Sequence, residues 1–254
     1  MGSQMKSILF ATDGSEFSAG AQRLAIALAK RCGARLTVMT IILSPQDLVG
    51  FGTHGLREQM EREAQALLAT VVAAAETEGV LCLTQLVYSD QPHQEIINTA
   101  LELEPDLIVL GRRGKRGLAR LMVGHATAHV AGHAPCPVLM VPRAAAMWSH
   151  RILLATDGSD PSQAATQVAL DLARDCQLPV TLVSVTSRSH NRERKAEAQA
   201  ALDQALAAMQ AAGIDSEALL AEGRPDQVVI ETANNRQADL IVVGKHGGSR
   251  LEES

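Results

Sequence analysis

The chain is 254 residues long, which at about 150 residues per domain points to two domains. An apolar fraction of 46% excludes a mainly disordered chain, and no stretch reaches the roughly 18 consecutive apolar residues of a membrane helix. A net charge of −5 and five aromatic side chains (Phe10, Phe17, Phe51, Tyr88, Trp148) argue against a nucleic-acid binder or a stacking platform for single strands.

In chain order, residues 6–11, with Ile8, Leu9 and Phe10, read as a short buried strand that ends in the turn Thr12-Asp-Gly-Ser15. Ser15 or Ser18 is placed to cap a helix carrying Leu24, Ala25, Leu28 and Ala29 at helical spacing. The β-branched run from Leu36 to Ile42 predicts a second strand. After a loop with Gly50, Gly52 and Gly55, a helix over roughly 56–78 carries Met60, Ala64, Leu67, Leu68 and Val71 on one face. Residues 81–87 form strand three, and 94–103 a helix after Pro92. Residues 106–110 are strand four and 138–141 strand five, after the Pro-Cys-Pro turn. Near-continuous apolar strands alternating with amphipathic helices predict a parallel sheet covered on both faces.

The chain contains this pattern twice. Ile8-Leu-Phe-Ala-Thr-Asp-Gly-Ser15 returns as Ile152-Leu-Leu-Ala-Thr-Asp-Gly-Ser159, an offset of 144, and Asp106-Leu-Ile-Val-Leu-Gly111 returns as Asp239-Leu-Ile-Val-Val-Gly244, an offset of 133. Pro92, Gln94, Ile97 and Thr99-Ala100 recur as Pro225, Gln227, Ile230 and Thr232-Ala233. Three matches in one order establish the repeat. The expected domains are 1–143 and 151–254, joined by a linker over 144–150. The second copy stops after its fourth strand and lacks the counterpart of 118–143.

In an open parallel sheet, ligands bind beyond the carboxyl ends of the strands. Asp13 follows strand one there, and Gly111-Arg-Arg-Gly-Lys-Arg-Gly117 follows strand four, with Gly124 opening the next helix. Arg112, Arg113, Lys115, Arg116 and Arg120 make this one loop densely basic in an acidic chain. Glycines let backbone N–H groups approach a phosphate, and a helix N-terminus adds partial positive charge. The alternative is a strand-to-helix loop that needs Gly for its geometry and carries solvated cations. Neither GxGxxG after strand one nor GxxxxGK[ST] occurs, so Rossmann and P-loop readings fail.

These residues resemble the universal stress protein family, whose nucleotide-binding members carry Gly-x2-Gly-x9-Gly followed by Ser or Thr. Gly111, Gly114 and Gly124 match the three glycines, while His125 stands where the hydroxyl residue would be. The opening Ile8–Ser15 segment and the closing His133-Ala-Pro-Cys-Pro-Val-Leu-Met-Val141 are similar to the family as well. The resemblance implies two tandem five-stranded α/β sandwiches of the adenine-nucleotide alpha-hydrolase-like kind, the second without its last helix and strand. It implies ATP, or ADP or AMP, with Mg2+ where the phosphates need it. Thr12, Asp13, Ile41 and Leu110 would flank adenine and ribose, and Gly111, Gly114, Gly124, His125, Ala126 and Thr127 the ribose and phosphates. Thr127 offers a hydroxyl where His125 does not. In the second copy Thr156, Asp157, Val185, Gly244 and Gly247 correspond, but a third glycine would fall beyond Ser254.

His125, His129 and His133 share one helix face at a spacing seen in zinc sites, yet no acidic residue supports them, and the reading is that they bind no metal. Asp13 and Asp157 lack a sequence-evident nucleophile, so no catalytic residue is assigned and at most slow ATP hydrolysis is expected. Ser15 and Ser159 read as helix caps. The expected function is nucleotide-dependent partner binding in stress response or signalling. The alternative is an interaction module whose pocket His125 alters. Four singly spread cysteines (Cys32, Cys82, Cys136, Cys176) and the absence of a signal-peptide pattern predict a cytoplasmic protein. A homodimer, an unidentified protein partner, and no nucleic acid or membrane complete the expectation.

Overall fold

The computed structural model describes residues 5–43, 54–112, 124–187 and 192–245. The chain parts into two compact units between Met147 and Trp148. In the first, β1 (Ser7–Ala11), β2 (Arg35–Leu43), β3 (Cys82–Ser89), β4 (Leu107–Gly111) and β5 (Val138–Val141) form a parallel sheet in the order β3-β2-β1-β4-β5. The crossovers are α1 (Ala19–Cys32), α2 (His54–Thr77), α3 (Pro92–Leu103) and α4 (His125–His133). In the second, β6 (Ile152–Ala155), β7 (Val180–Thr186), β8 (Ser216–Glu222) and β9 (Leu240–Val243) pair in parallel in the order β8-β7-β6-β9. Its helices are α5 (Asp160–Cys176), α6 (Arg192–Ala211) and α7 (Pro225–Asn235). The expected architecture is therefore present, with one strand and one helix fewer among the described residues of the second unit.

The strands are short and apolar because both faces are covered. β1 is buried along Ile8-Leu-Phe-Ala11, and the pleat sends alternate residues to opposite sides. Leu9, Ala11, Met39, Ile108 and Leu110 pack with Ile96, Ile97 and Ala100 of α3 and with Val130 of α4. α1 and α2 pack against the sheet through β1 and β2. With right-handed crossovers, the reversal at β1 puts α1 and α2, which run from β1 to β3, on one face and α3 and α4, which run from β3 to β5, on the other. α3 begins at Pro92, two residues before the expected start, because a proline at the first helical position loses no hydrogen bond there.

The second unit buries Ile152, Leu154, Leu182, Leu202 and Met209 under α5 and α6. On its other face α7 is the one described helix, and its Ala233 packs with Leu153 and Val183. Ile230, Ile241 and Val243 are exposed there, although in the first unit their counterparts Ile97 of α3 and Ile108 and Leu110 of β4 are buried together with Val130 of α4. At the amino ends of the sheets the repeats also agree. Asp106 accepts the N–H groups of Lys6 and Ser7 at 2.7 and 3.0 Å, and Asp239 those of Ser149, His150 and Arg151 at 2.6 to 3.2 Å.

The repeats differ at one helix end. α1 closes on Gly33 in the left-handed region (φ 65°), whereas α5 closes on Gln177 in the same conformation (φ 54°). A side chain in that region clashes with the following carbonyl, a cost that glycine avoids. Gln177→Gly should therefore stabilise the second unit by about 1 kcal/mol. The urea midpoint read from the buried Trp148 of that unit should move upward.

Candidate functional site

The reversal of strand order between β1 and β4 opens a crevice at their carboxyl ends. Ala11 pairs with both Met39 and Leu110, so Thr12 and Asp13 leave the sheet beside Gly111 and Arg112. Ile41 lies two residues beyond Met39 on β2 and stands level with Asp13. The main chain and side chains then build a tight turn. Thr12 N–H donates to the Met39 carbonyl at 2.9 Å, and the Thr40 hydroxyl donates to the Thr12 carbonyl at 2.9 Å. The Asp13 carboxylate accepts Ser15 N–H at 3.0 Å, and Gly14 takes φ 68°, where Leu67 of α2 leaves no room for a Cβ. The Thr12 and Ser18 hydroxyls meet at 3.0 Å, and Ser18 donates onward to the Ser15 carbonyl at 2.8 Å.

This wiring recurs in the second unit. Thr156 bonds Ser162 at 3.2 Å, Ser162 bonds the Ser159 carbonyl at 2.9 Å, and Asp157 accepts Ser159 N–H at 3.0 Å. Val185 stands two residues past Val183, the partner of Ala155, and so is level with Asp157. The capping expectation needs correction: Ser18 and Ser159 occupy the N-cap positions of α1 and α5, but neither makes a side-chain cap bond. Their hydroxyls are drawn into the Asp-Gly-Ser turn instead, where Ser159 donates to Asp157 at 2.6 Å. Ser15 Oγ is buried without a partner.

The opposite wall is α4. Gly124, its N-cap, carries no side-chain cap, so the first-turn N–H groups of α4 have no intrahelical acceptor. Gly124 N–H donates to the Arg112 carbonyl at 3.0 Å, which holds the two ends of the 113–123 segment together. Gly114 and the cations Arg113, Lys115, Arg116 and Arg120 lie outside the described residues, as does Gly247. His125 is exposed at the first position of the helix, and Ala126 is exposed beside it. Thr127 is buried, and its hydroxyl donates to the Gly111 carbonyl at 3.1 Å. The proton of that hydroxyl thus ties α4 to the end of β4. Gly244, the counterpart of Gly111, has a packing reason of its own: a Cβ there would lie 2.6 to 2.7 Å from the backbone of Pro161 and Ser162.

Sequence spacing placed three histidines on one face of α4, and the structure adds a fourth, His93 of α3. The His129 ring lies 4.3 Å from that of His93 and stacks on that of His133 at 4.2 Å, with 16° between the last two planes. Face-to-face rings do not aim their nitrogens at a common point. Among the described residues, no group of three or more His, Cys, Asp or Glu is arranged to hold a metal ion. His93 was readable only through topology, since nothing in the spacing around Pro92 announces that α3 and α4 are neighbours.

Burial pushes the Asp157 carboxyl up, but the hydrogen bonds from the Ser159 hydroxyl and N–H outweigh it and leave the carboxyl below its ordinary range. A carboxylate with a depressed folded value adds stability above its unfolded value and loses it as pH falls through the folded one. Acidification should therefore weaken the second unit, with Trp148 emission as the reporter. Asp157→Asn should flatten this dependence below about pH 5.

Comparison with known proteins places these features in a family. The model of the universal stress protein family matches residues 5–142 and again 149–253. The chain is 35% identical over 143 residues to universal stress protein MJ0531 of Methanocaldococcus jannaschii, covering 54% of this chain and 82% of that one. It is 24% identical over 272 residues to universal stress protein Slr1230 of Synechocystis, covering 97% of this chain and 92% of its relative. Among solved structures, a universal stress protein from Archaeoglobus fulgidus superposes with a TM-score of 0.74 at 17% identity, over 96% of this chain and 100% of that one, a likeness of fold. Two matched domains, two parallel α/β units and the repeated Asp turn agree: the chain belongs to the universal stress protein family, with the family's domain present in tandem.

Proposed function

We propose that the first unit binds an adenine nucleotide (ATP, or ADP or AMP) at the carboxyl ends of β1, β2 and β4, and that occupancy controls conformation and partner binding in stress response or signalling. The observation that carries this reading is the uncapped N-terminus of α4, held at the end of β4 across the crevice from Asp13. A helix start without a side-chain cap is a ready anion site, and its dipole favours phosphate. In this reading Thr12, Asp13, Ile41 and Leu110 border the adenine and ribose. Gly111, Gly114, Gly124, His125, Ala126 and Thr127 border the ribose and phosphates. Mg2+ would arrive on the phosphates, with no step of chemistry assigned to it.

The second unit repeats the Asp turn at Thr156 and Asp157, but among its described residues no helix stands where α4 does. We therefore assign one nucleotide per chain, and Val185, Gly244 and Gly247 serve an incomplete second site. Hydrolysis is slow in this reading because no general base is assigned beside the phosphate loop. The four cysteines form no disulfide, which suits a reducing compartment such as the cytoplasm. No described helix is long and apolar enough to cross a membrane. We assign a homodimer through the open edge of β5, where Met140 is exposed.

A second reading, an interaction module without nucleotide, is favoured by one observation. The Thr127 proton is already committed to Gly111, which leaves an imidazole at the helix start. Calorimetric titration with Mg-ATP separates the two. The nucleotide reading expects about one site per chain at micromolar affinity, and His125→Ser should bind as well as or better than the parent. No heat of binding at several temperatures would overturn it in favour of the interaction module. Sedimentation at micromolar concentration should show a dimer, and monomer alone would remove the β5 assignment.

A further inference from the structure

Beside the apolar contact of Val130 with Ile96, Ile97 and Ala100, α4 meets α3 through histidines. His93 lies on α3, while His125, His129 and His133 lie on α4 at intervals of one turn. The His129 ring is 4.3 Å from that of His93, 6.5 Å from that of His125 and 4.2 Å from that of His133, and His93 meets His125 edge-on at 6.2 Å. His133 Nδ1 lies 2.9 Å from the His129 carbonyl. His129 Nδ1 is buried without a hydrogen-bond partner. An imidazolium has two N–H donors, and a buried donor without an acceptor is costly.

From these contacts we propose that the histidine cluster is an acid-sensitive latch centred on His129: with that ring neutral the stack holds α4 on α3, and its protonation drives α4 away and dismantles the anion site at its N-terminus. The groups that face His129 are the rings of His93 from α3 and of His125 and His133 from its own helix. β5 brings only Val138-Leu-Met-Val141. The carboxylates of α3, Glu95 and Glu102, fall on the opposite side of that helix from His93 at about 3.6 residues per turn. Burial, then the charges of His133, His93 and His125, all push His129 below the usual histidine value. The direction follows from linkage. A released α4 takes up protons that the docked one refuses, so docking is complete above the released value and weakens as pH falls toward the docked one. The geometry reaches the site because Gly124 and His125 open α4 and Thr127 ties it to β4. The functional consequence rests on the nucleotide reading, but the latch itself does not.

Amide hydrogen exchange on the full chain, corrected for the intrinsic effect of pH, tests it. Protection across residues 125–133 should fall about three- to tenfold between roughly pH 7.5 and 5.5, while α1 stays unchanged. His129→Gln and His93→Gln, each checked for native protection near neutral pH, should lose most of that pH dependence. Equal loosening of α1, or an unaltered pH response in both variants, would overturn the latch. Mg-ATP affinity over the same range keeps the two readings apart. If α4 loosens while nucleotide binds at no pH, the latch stands and the nucleotide reading fails. If nucleotide binds and α4 protection stays constant, the latch fails and the nucleotide reading stands.

Discussion

The parallel pairing of β1 with β2 on one side and β4 on the other is the constraint from which the rest of the first unit follows. A strand paired on both edges and covered on both faces must be apolar throughout, and Ile8-Leu-Phe-Ala11 is. The crossovers then leave in opposite directions, α1 toward β2 and α4 from β4 toward β5. Where they diverge, no described helix caps the strand ends. The polar residues Thr12 and Asp13 can therefore follow directly on a buried strand. β6 is placed the same way between β7 and β9, and the same Thr-Asp-Gly-Ser turn follows it.

The units share wiring more closely than they share cover. Their turns agree hydroxyl for hydroxyl, from Thr12 to Ser18 and from Thr156 to Ser162. Their amino ends agree through Asp106 and Asp239. What differs is the layer over β4 and β9. Among the described residues no counterpart of α4 covers Ile241 and Val243, which are exposed where Ile108 and Leu110 of the first unit are core. Among its described residues, the second unit is thus a frame with the Asp turn but without the wall that faces it in the first.

Much of this was legible in the amino-acid order. Repeats with apolar strands at fixed offsets identified the strands and the reduced second copy, because period and burial follow from the same pleat. β5 falls where Val138–Val141 was expected, and the Asp turn sits where the Asp13 and Asp157 motifs put it. Side-chain partners were not legible. Ser18 and Ser159 stand at helix starts, but their hydroxyls go to the turn, since a carboxylate and a carbonyl nearby compete with the helix N–H groups. The proton of Thr127 goes to Gly111, a choice that depends on how closely α4 approaches β4. His93 joins the other histidines only because right-handed crossovers stack α3 beside α4, a relation that spans more than 30 positions and leaves no local pattern.

The hydrogen bond from Gly124 to Arg112 has a consequence for how this loop can change over evolution. The two ends of the segment between them are pinned to the sheet and to α4, so the cost of bringing them together is met by the frame. For a chain tethered at both ends, doubling its length costs only about 0.6 kcal/mol in closure entropy. Insertions between Arg112 and Gly124 should therefore cost the first unit little stability, because the bond between those two residues already closes the loop.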